Sequence, residues 1–293
     1  MELGKLGVWY FLDGKTAPEA AVIAKRIESL GYSALWIPES VGRHPFVLAG
    51  WLLAHTDKLI LATGIANIYA RDPGASMSAA RSLAELSNGR FILGLGVSHV
   101  PLVEGVRGHQ YGKPIATMKH YLETMGTMPY TAVKADEEPP IVIAALGPKM
   151  LSLAASHAQG AHPYFVTVEH TRQAREIMGP DAMLCVEQKV IRETDPGKAR
   201  QLAREAAKRY MALPNYRNNW MRLGFTEADL SDGGSDRFID ATFAWGTIEA
   251  IGERMQAHLD AGATHLCIQP VNPSGEMGDL DFKLLEELAP AAG

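Results

Sequence analysis

Few stretches of the chain combine residues able to move a proton or hold an anion, and "FILGLGVSHVP" (residues 91–101) is the foremost. His99 stands just past an apolar run, beside Ser98 and after Gly94 and Gly96. An imidazole titrates close to neutral pH, and glycines let a ligand approach the backbone closely, so His99 is a candidate proton donor or acceptor. Glu39 directly follows "LWIP". Its carboxylate could hold the next loop as a buried acceptor or contact a cofactor ring. His44 lies five residues beyond it on the same loop, while His55, His157 and His258 fall in helical stretches and read as structural. In "AALGPKM" (144–150), Leu146, Gly147, Pro148 and Lys149 open a helix. Free backbone amides and the helix dipole favour an anion there, although an ordinary strand-to-helix turn has the same sequence.

Several chemistries are disfavoured. The third glycine of a dinucleotide-binding Gly-x-Gly-x-x-Gly is replaced by His99, and "VPLVEGVRG" reads as a loop where that motif needs a helix. No Cys or His spacing suits a metal, and neither Gly-x-Ser-x-Gly nor a Walker loop is present. Cys185 and Cys267 each sit in an apolar run, as buried free thiols in a reducing compartment do. A net charge of -5 without basic runs points away from nucleic acid and membrane surfaces and toward a small-molecule substrate. With no signal-like N-terminus and no apolar run of about 18 residues, the chain reads as cytoplasmic.

These residues must be positioned by the elements around them. Apolar runs at 6–11, 34–37, 59–65, 91–96, 140–145, 160–167, 182–191 and 263–271 alternate with amphipathic stretches, giving eight strand-helix units. Near-continuous apolar strands joined by helical crossovers imply a parallel sheet covered on both faces. The expectation is an α/β fold, a (β/α)8 TIM barrel, with an open doubly wound sheet as the alternative. Residues 1–293 read as one domain, with an insertion at about 213–246 between strands seven and eight. In such barrels chemistry sits at the C-terminal strand ends, where Glu39, Thr63, Asn67, Ser98, His99 and Lys149 fall.

The ordered pieces "GYSALWIPES", "LATGIANIYARDP", "LAELSNGRFILGLGVS" and "GTIEAIGERMQAHLDAGATHLCIQ" resemble the bacterial luciferase-like superfamily over essentially the full length, and within it the branch dependent on coenzyme F420, a deazaflavin. The resemblance implies the same barrel and a non-prolyl cis peptide on the third strand, at Gly64–Ile65, supporting the cofactor ring. Glu39, Thr63, Gly64, Ile65, Asn67, Ser98 and His99 are then expected to bind the cofactor, Glu39 at its ring, and the resemblance implies a phosphate site at Leu146, Gly147, Pro148 and Lys149. Glu39 and His99 are its implied catalytic residues: His99 occupies the place of a glutamate proton donor, and Ser40 that of a catalytic histidine. Trp9, Tyr69, Trp220 and Trp245 are candidates for apolar contacts with ring or substrate, against the reading of each as a core residue. The implied activity is F420-dependent hydride transfer to or from a small organic substrate. An FMN-dependent monooxygenase is the alternative, and a catalytically silent flavin- or deazaflavin-binding protein the second. No metal is implied. Relatives are commonly dimers that pack helices near strands two and three; the helix "PFVLAGWLLAH" is compatible with that and equally with burial against the barrel, and a homodimer is the expectation.

Overall fold

The structure, a computed structural model, describes residues 1–275 and 278–290. Its strands are β1 (Leu6–Trp9), β2 (Ala34–Ile37), β3 (Ile60–Thr63), β4 (Ala66–Asn67), β5 (Phe91–Gly96), β6 (Ile141–Ile143), β7 (Gly160–Ala161), β8 (Met183–Ile191), β9 (Phe243–Trp245) and β10 (His265–Pro270). All pairings are parallel, and β10 bonds to both β1 and β8, which closes the sheet. The circle runs β1, β2, β3, β5, β6, β7, β8, β10, a (β/α)8 barrel. Strand β4 continues β3 and pairs with β5, whereas β9 pairs with β8 outside the circle.

Each of the eight apolar runs contributes one barrel strand, with three local departures. The third run is broken by a cis peptide between Gly64 and Ile65, after which β4 resumes. The sixth run leaves the sheet after Ala161, because Pro163 has no N–H to give and Phe165 turns back with φ +58°. Residues Pro101–Val106, which read as a loop in the sequence, coil instead into a short π-type helix. It starts at a proline, whose missing N–H costs nothing in a first turn.

Local sequence fixes the surrounding helices. Thr16 and Glu19 form a reciprocal capping box on Ala17–Ser29, and Asp72 caps Pro73–Leu86. Inside the barrel, Trp9, Trp36, Ile60, Ala62, Ile92, Val142, Cys185 and Cys267 form a buried inner core. The insertion between β8 and β10 packs a separate aromatic cluster, including Phe165, Tyr210, Trp220, Phe238 and Phe243. Helices Pro196–Met211, Pro214–Arg222 and Asp236–Thr242 supply its outer wall.

Candidate active site

A cavity of about 810 Å³ opens at the C-terminal ends of the strands. Glu39, Gly64, Ile65, Ser98, His99, Leu146, Gly147, Pro148 and Lys149 all line it. Thr63 and Asn67 do not line it, and their side chains bond to neighbouring backbone instead. The Thr63 hydroxyl, fully buried, donates to the Gly94 carbonyl at 2.7 Å and accepts from the Gly94 N–H at 2.9 Å. It thereby replaces a sheet rung where the chain swerves. A Cβ at Gly94 would stand 1.7 Å from the Thr63 carbonyl oxygen, so only glycine allows this approach. Asn67 accepts from the Tyr69 N–H at 2.9 Å through its side-chain oxygen, capping the turn that follows β4.

Glu39 is held from three sides. One carboxylate oxygen accepts from the Asn67 N–H at 2.7 Å and from Arg71 at 3.0 Å, and the other receives a second Arg71 N–H. Arg107 lies 3.6 Å from it and donates to the Ser40 carbonyl at 3.2 Å. The carboxylate thus ties the loops after β2, β4 and β5 together under the cavity rim.

His99 sits where β5 meets the insertion. Its ring lies 5.9 Å from that of Tyr216, and the Asn215 side chain hydrogen-bonds to it. Burial pushes its pKa below the ordinary histidine value, and the nearby Arg209 charge pushes in the same direction, against the bond to Asn215. The imidazole is therefore neutral at pH 7. Ser98 beside it takes a left-handed conformation, φ +57°, and its carbonyl accepts from the Tyr111 hydroxyl at 3.3 Å.

His162, inside the sixth apolar run, carries no signal in the sequence that marks it for the site. It stacks on Trp36 at 4.5 Å, and its Nδ1 lies 2.8 Å from the Cys185 carbonyl. A carbonyl only accepts, so Nδ1 carries the hydrogen. Burial lowers its pKa to about 4, which leaves a neutral ring under Gly64. Trp9 donates to the Gly64 carbonyl at 3.0 Å and lines the cavity. Tyr69 stacks on Tyr111 instead, and Trp220 is spent inside the insertion with its N–H on the Phe165 carbonyl. Trp245 bonds to Asp240, so of the four aromatics singled out in the sequence only Trp9 reaches the cavity. His44 precedes the helix Pro45–Leu53 and does not line the cavity.

At the opposite end, Gly147 precedes the helix Pro148–His157 with no side-chain cap on its first amides. Arg222 reaches over from the insertion: a Cβ on Gly147 would stand 3.3 Å from its guanidinium. Arg222 is anchored by donating to the Asn219 side-chain oxygen at 3.0 Å. Lys149 lines the same end. The contribution of Arg222 was not legible in the sequence, because it depends on how a 34-residue irregular stretch folds back over the barrel (about that length from its expected limits).

A family model described as "Luciferase-like monooxygenase" matches residues 5–265. A Mycobacterium tuberculosis protein bearing the name of a coenzyme F420-dependent oxidoreductase is 30% identical over 197 residues, 56% of each chain. The chain thus spans about half the length of this curated relative. Among solved structures, an F420-dependent secondary alcohol dehydrogenase in complex with an F420-acetone adduct superposes with a TM-score of 0.77 at 15% identity, covering 98% of both chains. An FMN complex of a type II Baeyer-Villiger monooxygenase from Pseudomonas putida gives a TM-score of 0.68 at 16% identity, covering 98% of this chain and 99% of that one. These two likenesses concern the fold, which is shared by proteins of both cofactor classes. With a family model matched across nearly every barrel strand, the chain belongs to the luciferase-like monooxygenase family.

Proposed function

We propose that the protein is a coenzyme F420-dependent oxidoreductase that passes a hydride between the deazaflavin and a small organic substrate at the barrel mouth. The observation that carries this reading is the polarity of the cavity: one end gathers the bare amides of Gly147 and the charges of Lys149 and Arg222, and the middle is floored by the Gly64–Ile65 backbone. Those residues fit a flat ring with an anionic tail. Gly147 leaves room for phosphate oxygens beside the guanidinium, and charge-assisted bonds suit that partner.

In this reading Gly64 and Ile65 seat the ring, and Leu146, Gly147, Pro148, Lys149 and Arg222 hold its tail. When bound, the deazaflavin supplies a carbon that gives or takes a hydride. His99 exchanges the accompanying proton with the substrate, and its neutral state at pH 7 makes it a base for alcohol oxidation and, once protonated, an acid for carbonyl reduction. Glu39 positions the loops and takes no part in proton transfer, since Arg71, Arg107 and Asn67 occupy its oxygens. Ser40 lines the cavity in the place of the relatives' histidine and supplies no titrating group. The protein works in the cytoplasm as a homodimer in this reading. Val47 and Trp51 are exposed on the helix Pro45–Leu53, which supports that helix as the paired face. Fluorescence quenching with oxidised deazaflavin and with FMN tests the cofactor assignment. Deazaflavin binding in the micromolar range or tighter is the expected result; FMN binding with no deazaflavin binding overturns it.

A further inference from the structure

The barrel circle divides the cavity into two arcs. Gly64 with Ile65, Ser98 with His99, and the Leu146–Lys149 turn follow three consecutive positions, β3, β5 and β6. The facing arc is built from β1, β7 and the insertion after β8, and it presents rings: Trp9, Phe11, Tyr164, Tyr210 and Tyr216. They touch in series. Trp9 lies 5.0 Å from Phe11 and 5.2 Å from Tyr164, Tyr164 lies 5.6 Å from Tyr210, and Tyr210 lies 5.2 Å from Tyr216. His99, 5.9 Å from Tyr216, stands at the seam between the arcs.

The polar atoms of this wall engage the protein. The Trp9 N–H is given to the Gly64 carbonyl. The Tyr164 hydroxyl donates to Gln269 at 2.8 Å and pairs with the Tyr210 hydroxyl at 2.8 Å, and the Tyr210 oxygen also receives Arg209. Arg209, Asn215 and Asn218 also line this side, Arg209 donating to the Tyr210 hydroxyl and Asn215 bonded to His99; between them a ligand meets ring faces and edges, whose contacts with another π-system are favourable beyond the area they bury. A sugar or other polyhydroxylated ligand would surrender its hydration there for few bonds in return.

We propose that this second arc binds a flat, uncharged, conjugated carbonyl compound such as an aryl enone, with its oxygen toward His99. The proposal rests on the reading that the first arc seats the deazaflavin. The carbonyl compound receives a hydride at carbon from the reduced deazaflavin and a proton at oxygen from His99, leaving an alcohol and the oxidised deazaflavin.

Isothermal titration of the unloaded and the deazaflavin-loaded protein with benzalacetone and with glucose 6-phosphate tests it. Benzalacetone is expected to bind about 10-fold or more tightly than glucose 6-phosphate. Tyr216→Leu weakens benzalacetone about 10-fold, Tyr216→Phe keeps its affinity, and neither variant changes the deazaflavin Kd. Equal or tighter binding of glucose 6-phosphate overturns the proposal, as does a folded Tyr216→Leu protein with unchanged benzalacetone affinity. If Tyr216→Leu does not fold, the ranking of the two ligands on the wild-type protein decides. Failure of deazaflavin to bind the wild-type protein, with benzalacetone binding still dependent on Tyr216, overturns the cofactor reading and leaves the aromatic subsite standing.

Discussion

His99 and Glu39 read alike in the sequence, each a polar residue just beyond a strand, and the structure gives them different surroundings. His99 faces the cavity with a pKa depressed chiefly by burial. Replacing it with Ala removes a proton donor or acceptor and is expected to lower kcat by about 10²- to 10⁴-fold while deazaflavin affinity holds, in paired kinetic and binding measurements. In the proposed role of His99, carbonyl reduction requires the imidazolium, so its rate is expected to fall as pH rises through a midpoint below the ordinary histidine value, while alcohol oxidation requires the neutral ring and is expected to rise through the same midpoint. Profiles of the two directions must therefore slope oppositely. Glu39, only 6% exposed at its side chain, balances Arg71, 9% exposed. Glu39→Gln strands a buried guanidinium and is expected to cost about 3 kcal/mol of unfolding free energy, read by denaturant titration. Its effect on turnover then follows from loosened loops.

At the scale of elements, two segments built by different means meet at one end of the cavity. The helix Pro148–His157 offers uncapped amides at Gly147, and the helix Pro214–Arg222 brings a guanidinium over them. Arg222→Ala is expected to raise the deazaflavin Kd about 10- to 100-fold, since a hydrogen bond to a charged group contributes about 1.5 to 3 kcal/mol. The loss should shrink at high salt, where the wild-type contact is itself screened. The first helix was legible because Gly-Pro-Lys after an apolar run is a local signal. The second was not, because the path of the insertion is decided by its packing of Trp220, Phe238 and Phe243 against Phe165. Thr63 and Asn67 show the converse limit: their place at a strand end was legible, but whether a side chain turns to the cavity or to its neighbours depends on the swerve at Gly64–Ile65.

Over the whole molecule, the regular alternation of strand and helix made the barrel legible, since each unit carries its own period of apolar residues. Its buried histidines were legible only as structural at most. His162, His170 and His265 have pKa values lowered to about 4 and His258 to about 3, each chiefly by burial. Below pH 6.5 the unfolded chain takes up protons at these rings before the folded one does, so stability falls with acidification. Each contributes a slope of up to about 1.4 kcal/mol per pH unit between 6.5 and its folded value. Urea midpoints measured from pH 7 to 4.5 should drop steeply, and a flat profile would contradict the burial of these rings. The proposed pairing through Val47 and Trp51 predicts a sedimentation mass of twice 31.8 kDa, falling toward a single chain in Trp51→Glu.

The split of the cavity between two arcs also bears on how such a protein can change. The arc formed by the ends of β3, β5 and β6 belongs to the closed sheet, where Gly94 tolerates no added atom. Much of the facing arc belongs to an insertion with its own core, joined to the barrel after β8. Mutation can therefore remodel one side of the chamber while the other stays fixed. A library confined to residues 209–216, which leaves Asn219 and Arg222 in place, would explore new specificities while the sheet-borne arc stays fixed.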